Sequence, residues 1–356
     1  MDDMKALFEK MRAKMDMVRS VFGEENLAAV PLFENCLCYP MDLLTELAGM
    51  ACEIEELNSP EEISSRLEAF RELRLKIENR KQERPRIMLW PENRVPSLTE
   101  YTDNSAYRYN HNPDFAPFMY EMLVPEEVTP MGAIILCAGG DHGFTVLCEG
   151  YQVARDFNQM GYQCFLLLNR TNLNPWSGKE AGADVARAIR IVRANAEKYR
   201  VKKNQIVFAG FSNGGLTGEA CIRYYSGEQR MSEVFPDYEE DALDQVSASM
   251  DAFLCIYGPR MNHETFDYSR VVYPPVFHAV GLEDFNMDNI NKLYPDLVSH
   301  GVTVEIHTFS GVPHGQAGRK LLDGYVKYPN FEMWELLAEQ FMWNILGKEQ
   351  RDLFQD

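Results

Sequence analysis

The stretch Gln205-Ile206-Val207-Phe208-Ala209-Gly210-Phe211-Ser212-Asn213-Gly214, running on to Leu216 and Tyr225, reads as strand, tight turn and helix. Gln205 to Ala209 is a short apolar run closed by glycine, the pattern of a buried strand. Within the turn, Gly210 to Gly214 spells G-x-S-x-G. A chain passing directly from strand to helix leaves no room for side chains at the two glycine positions. Such a turn lifts Ser212 above the carboxyl edge of the sheet, where a base can reach its hydroxyl. The helix N-terminus behind it supplies N–H groups and positive partial charge for an oxyanion. A chance Gly/Ser loop is the bland alternative, and the strand and helix on either side speak against it.

Moving outward, strands and helices alternate. Strands are predicted at Ala133 to Ala138, Cys164 to Leu168, Ala252 to Tyr257, Val276 to Val280 and Val302 to Phe309. Between them lie a helical stretch ending at Met160 and a helix marked by Val185, Ile189, Val192 and Ala196. A closing helix carries Met333, Leu337, Phe341 and Ile345, with Gly347 as its cap. This βαβ alternation predicts an α/β fold, a mostly parallel doubly wound sheet with helices on both faces. Val302, Val304 and Ile306 alternate with polar residues, so the last strand is expected to be half buried.

Residues 1–84 read differently, as a helical N-terminal extension. Met4, Leu7, Phe8, Met11, Met15 and Val18 form one apolar stripe, and Leu44, Leu47, Ala51 and Ile54 another, after the Pro40 break. A third helix opens with Ser59 as N-cap, Pro60 in its first turn and Glu62 in capping-box position, and carries Ile63, Leu67, Phe70 and Ile77. Three such stripes need a partner, either the next domain or a second copy of the chain, so a lid or a homo-oligomer contact is expected of this segment. Residues 85–117 are rich in Pro, Asn, Asp and Tyr and read as linker and edge elements, and the catalytic domain is expected over 118–356.

Composition narrows the function. A net charge of −19 would repel phosphates, which argues against nucleic-acid or anionic-membrane partners. The N-terminal sequence lacks an apolar signal core, and no segment approaches the roughly 18 apolar residues of a membrane span. The 8 cysteines are scattered. Cys137, Cys164 and Cys255 lie in apolar runs, and Cys36 and Cys38 make a C-x-C without a second pair. Buried free thiols in a cytoplasmic, reducing setting are the expectation, with no metal and no organic cofactor. The acidic stretch from Glu228 to Asp244 reads as a solvated loop.

Three further features complete the chemistry. Strand Ala133 to Ala138 runs into Gly139-Gly140-Asp141-His142-Gly143, a glycine-rich turn through which backbone N–H groups can approach an oxyanion. Gly140 and Asp141 are both candidate donors beside Asn213, though a plain turn would have the same composition. Among seven histidines, His314 stands out in Ser310-Gly311-Val312-Pro313-His314-Gly315, a loop of small residues leaving the last strand. His142 is the second candidate base and could contact substrate. His278 and His307 sit on strands and read as structural, whereas His111, His263 and His300 have no supporting motif. Asp284 follows strand Val276 to Val280 and completes the order Ser, Asp, His; Glu283 and then Asp288 compete with it.

From about residue 118 onward the chain resembles α/β-hydrolase esterases, in particular the acetyl-xylan-esterase-like and hormone-sensitive-lipase-like branch. The likeness rests on Ala138-Gly139-Gly140-Asp141 as oxyanion loop and on the G-x-S-x-G with Asn213 in place of the usual alanine. It rests also on Asp184-Val185-Ala186-Arg187-Ala188-Ile189-Arg190-Ile191-Val192-Arg193 and on the G-x-x-H-G of Gly311 to Gly315. The resemblance implies a serine esterase acting on a small-molecule ester, an acetylated carbohydrate among the candidates. A peptidase or amidase of the same fold is one alternative, and a non-catalytic interaction protein on a hydrolase scaffold is another.

Overall fold

Alternate residues of each central strand enter two different cores, as the period of two along a strand requires. A computed structural model describes residues 38–40, 43, 44, 46, 47, 50, 53, 54, 57–82, 84–92, 94–97, 115–140, 148–170, 177–259, 266–318 and 327–346. The stripe from Met4 to Val18, Ala51, Cys36, Asp141, His142, His111, His263 and Gly347 lie outside the described residues.

Eight strands form one sheet: β1 Ile87–Met88, β2 Phe118–Met122, β3 Ala133–Cys137, β4 Gln163–Leu168, β5 Ile206–Phe211, β6 Ala252–Ile256, β7 Val276–Gly281 and β8 Val304–Phe309. Their spatial order is β1-β2-β4-β3-β5-β6-β7-β8. β1 and β2 run antiparallel at one edge, and β2 is antiparallel to β4. From β4 to β8 every neighbouring pair is parallel. Long helices are α1 Pro60–Glu78, α2 Val153–Gln159, α3 Gly178–Ala194, α4 Asn213–Tyr225, α5 Met287–Ser299 and α6 Trp334–Ile345. None of the described helices is long and apolar enough to cross a membrane.

One core gathers Ile134, Leu136, Val207, Ala209 and Leu254 from the sheet with Phe157 of α2 and Trp334, Phe341 and Met342 of α6. The other gathers Ile135, Cys137, Phe208 and Phe253 with Ala186 and Ile189 of α3 and Cys221 of α4. On the second face α3 and α4 meet so closely that a Cβ on Gly182 would stand 2.8 Å from the Ala220 carbonyl carbon.

The described part of the N-terminal segment shares the first core. Leu44, Leu47, Ile54, Ile63, Leu67, Phe70 and Ile77 are buried in one cluster with Phe118 and Tyr120 of β2. The N-cap is as the sequence predicts: Ser59 Oγ accepts the Glu62 N–H at 3.1 Å, with Pro60 opening the helix.

Three expectations need correction. The stripe predicted on α6 holds at Phe341, which is buried, and at Leu337 and Ile345, which pack against the first core, but not at Met333. Met333 is exposed, and the buried face is Trp334, Ala338, Phe341 and Met342, because the Trp334 ring inserts against Phe157 and Phe211. The last strand is half-buried as expected, but it starts at Val304 and its burial does not alternate: Val304 to His307 are all half-buried at the sheet's edge. The stretch from Glu228 to Asp244 is not simply a solvated loop. Asp241 pairs with Arg187 at 2.6 Å, and Asp244 pairs with Arg190 at 3.1 Å. Arg193 donates to the Ser249 carbonyl and to Asp251. The arginines of α3, spaced three apart, therefore clamp the chain between residues 241 and 251. The preceding Asp184 is fully buried and takes bonds from Arg170 and the Trp90 indole. Breaking one member of such a buried pair typically costs about 3–5 kcal/mol, so this motif serves the scaffold.

Candidate active site

The strand order reverses at β3. β3 leads to β4 on one side, and the next strand, β5, lies on the other, which opens a crevice at their carboxyl ends. Ser212 sits there, between β5 and α4, with φ 49° and ψ −121°. A non-glycine residue in this region costs about 1–3 kcal/mol and persists only where its surroundings enforce it. The flanking glycines do so. A Cβ on Gly210 would lie 2.5 Å from the Gly214 carbonyl oxygen, and one on Gly214 would lie 2.0 Å from the Cys137 carbonyl oxygen. The Ser212 N–H donates to the Ile256 carbonyl at 3.0 Å, tying the elbow to β6.

These contacts predict a contrast. Gly214→Ala should destabilise the fold by more than about 3 kcal/mol, since its obstacle is backbone of β3 that cannot yield. Gly311→Ala, at a positive φ but with open space around it, should cost only about 1 kcal/mol. Thermal or urea unfolding of the two variants measures the difference, and equal losses would contradict the packing argument.

The structure brings Ser212, His314 and Asp284 together. His314 Nε2 is 2.9 Å from Ser212 Oγ, and Nδ1 is 2.8 Å from Asp284 Oδ2. A carboxylate only accepts, so Nδ1 carries the proton and Nε2 presents its lone pair to the serine hydroxyl. Asp284 is buried, and its other oxygen accepts the Asn286 N–H at 2.7 Å. Both oxygens are thus engaged and the carboxylate cannot swing away from the imidazole. Glu283 and Asp288 are exposed, and neither is bonded to His314. The histidine loop comes close to β7: a Cβ on Gly281 would stand 1.9 Å from the Val312 carbonyl oxygen. Two rings flank the imidazole, Phe285 at 4.2 Å and Tyr257 at 4.9 Å.

Across the crevice, Gly139 and Gly140 follow β3. The Gly139 N–H donates to Glu149 Oε2 at 2.6 Å, which commits that amide. Gly140 is buried with φ 136°. Asn213 is the first residue of α4, where N–H groups have no acceptor within the helix. Of the remaining histidines, His278 is buried on β7 and His307 bonds Glu305. His300 stacks on Tyr268. The six described cysteines are all buried free thiols. Burial, with help from the charges of Asp184 and Glu149, pushes the Cys137 thiol up to about 12, and burial likewise raises Cys255 well above the ordinary thiol range. Neither offers a thiolate to compete with Ser212.

Sequence reasoning missed Glu149, Tyr257 and Asn286. Glu149 sits in a helical stretch like any surface carboxylate, and Tyr257 merely ends an apolar strand. Only their burial and partners distinguish them.

This sheet, its crossovers and the elbow define the α/β-hydrolase fold. Solved structures agree. An acetyl ester-xyloside bifunctional hydrolase from Caldicellulosiruptor lactoaceticus is 24% identical, with a TM-score of 0.57 over 74% of this chain and 97% of that one. A thermophilic esterase of Thermogutta terrifontis with propionate bound is 18% identical, with a TM-score of 0.53 over 73% of this chain and 98% of that one. The same esterase phosphorylated by paraoxon is 17% identical, with a TM-score of 0.52 over the same shares. Endo-1,4-beta-xylanase B of Butyrivibrio fibrisolvens is 27% identical over 140 residues, 36% of this chain but 21% of that protein. The chain thus spans about a fifth of the length of this curated relative. No protein-family model matches the sequence.

Proposed function

We propose that this protein is a serine hydrolase that cleaves a small carboxylic ester, an acetyl ester of a carbohydrate being the foremost candidate. The observation that carries the reading is the continuous hydrogen-bonded line from Ser212 Oγ through His314 to buried Asp284. Ser212 attacks the acyl carbon while His314 accepts its proton and passes it to the leaving alcohol. Water then repeats the sequence on the acyl-enzyme, with Asp284 holding the imidazole throughout. The amides of Asn213 and of Gly140 or Asp141 receive the oxyanion, and His142 contacts substrate. Two relatives in fold, an acetyl ester-xyloside bifunctional hydrolase and an esterase phosphorylated by paraoxon, support this choice over an amidase. The buried thiols suit a cytoplasmic setting. A fluorophosphonate probe tests the reading directly: it should label Ser212 and no other residue. A folded protein that takes up no probe would be a non-catalytic interaction protein instead.

Rates on p-nitrophenyl esters should fall steeply from acetyl toward octanoyl. The motive is the polar pair Asp141 and Asn213 where related loops carry small residues, since a long apolar tail would have to be desolvated against them. Faster turnover of the octanoyl ester would remove this part of the reading.

Residues 1–84 are assigned a docked role, with a share in a lid or in contact with a second copy of the chain. The support is the common core of Leu44, Leu47, Ile63 and Phe70 with β2. Deleting them should expose that apolar surface, so the shortened protein should aggregate or change its substrate profile. A soluble truncated enzyme with unchanged kinetics and Tm would dismiss the assignment.

A further inference from the structure

A carboxylate taken out of water is costly unless donors surround it. Glu149 is only 2% exposed, and it lies in a single π-helical turn, Cys148–Gln152, a departure from regular helix often found at functional sites. Its Oε2 accepts the Gly139 N–H at 2.6 Å, and its Oε1 accepts the Tyr257 hydroxyl at 2.8 Å. Gly139 in turn touches the elbow, for a Cβ there would stand 2.7 Å from Ser212 Cβ.

Tyr257 follows β6 and is fully buried at φ 39°, a strained value for a residue with a side chain. Its hydroxyl accepts the Ala317 N–H at 3.2 Å, three residues beyond His314. The ring stands edge-on to the imidazole, and the Tyr257 carbonyl accepts from Asn286 Nδ2 at 2.8 Å. The Asn286 N–H holds Asp284. Burial, and then the charge of Glu149, keep the phenol protonated far above neutral pH, so it remains a donor.

We infer that Glu149 and Tyr257 form a buried positioning pair that holds the oxyanion loop and the histidine loop in register around Ser212. The inference rests on the serine-hydrolase reading. Gly139 N–H, Glu149, Tyr257 and Ala317 N–H make one chain of hydrogen bonds beneath the crevice, and Tyr257 is its only member that also packs on the imidazole. Preorganised donors stabilise an oxyanion because they need not reorient during the reaction. A misplacement of about 1 Å can cost roughly a hundredfold in rate. The pair takes no part in the bond changes and acts through Gly139 and His314.

The test uses the full chain with Glu149→Gln, Tyr257→Phe and the double variant. Glutamine keeps the size of Glu149 but turns an NH2 toward either the Gly139 N–H or the Tyr257 hydroxyl. Phenylalanine keeps the ring against His314 and removes only the hydroxyl. Active serine is counted with the fluorophosphonate probe, and kcat and KM are measured per labelled site on p-nitrophenyl acetate. Glu149→Gln should lower kcat about ten- to a hundredfold with KM nearly unchanged. Tyr257→Phe should lose less, and the double variant should be no worse than Glu149→Gln, as expected of groups acting as a unit. A purely structural role would lower Tm and the number of labelled sites while leaving kcat per site untouched, and that result overturns the inference. Should Glu149→Gln fail to fold, Tyr257→Phe decides alone by the same criterion. A parent protein that takes no label at Ser212 ends the hydrolase reading and this inference with it; a labelled parent with unimpaired variants ends only the inference.

Discussion

Ser212→Ala should leave the fold intact and reduce hydrolysis of p-nitrophenyl acetate by roughly five to six orders of magnitude, the usual consequence of removing the nucleophile from a coupled triad. The hydroxyl makes its bond to His314 and bears no part of the core, so truncation removes one hydrogen bond and opens no buried cavity. The elbow geometry is set by Gly210 and Gly214, which the substitution does not alter. Unfolding midpoints should accordingly lie close to those of the parent while fluorophosphonate labelling disappears. Substantial turnover by a folded Ser212→Ala protein would show that another group does the chemistry, and the proposal would fall at its centre.

His314→Ala should lose nearly as much, because without the imidazole the serine hydroxyl has no base and the leaving alcohol no acid. Asp284→Asn should lower kcat by about four orders of magnitude. An amide presents a donor to Nδ1, which favours the tautomer whose proton sits on the wrong nitrogen. Glu283→Gln should be close to the parent, since that side chain is exposed and its backbone N–H, which the substitution keeps, bonds the Val312 carbonyl. His142→Ala should cost far less than His314→Ala. A reversed order, with His142→Ala inactive and His314→Ala active, would transfer the role of base and leave the short contacts around His314 structural.

The difference between Asp284 and Glu283 shows where sequence reading was strong and where it was weak. Strand ends, chain order and the small-residue loop around His314 already pointed to Ser212, Asp284 and His314. All three follow strands whose apolar runs are local signals, and a parallel sheet delivers the ends of such strands to one edge. Nothing local separates Glu283 from Asp284. Burial, the Asn286 N–H and the His314 imidazole do that. Charge reading failed for a similar reason at Asp241 and Asp244, which pair with arginines more than fifty residues away and so look solvated in the sequence. The predicted α6 stripe fails only at Met333, its first member, because the neighbouring Trp334 packs on rings from α2 and β5, contacts that no local signal announces.

The α/β-hydrolase architecture, the elbow and the position of its serine are legible in the order of residues along the chain. Each depends on short-range sterics: period-two burial in strands, helical spacing, and glycines where a turn admits no side chain. Which oxygen meets which nitrogen, that the Gly139 amide is already taken, and that Glu149 and Tyr257 lie beneath the site emerge only once the chain is folded. Those contacts join residues from ten to more than a hundred positions apart. The physical reason is that a buried polar group is defined by the partners that compensate its lost hydration, and folding, rather than residue type, supplies those partners.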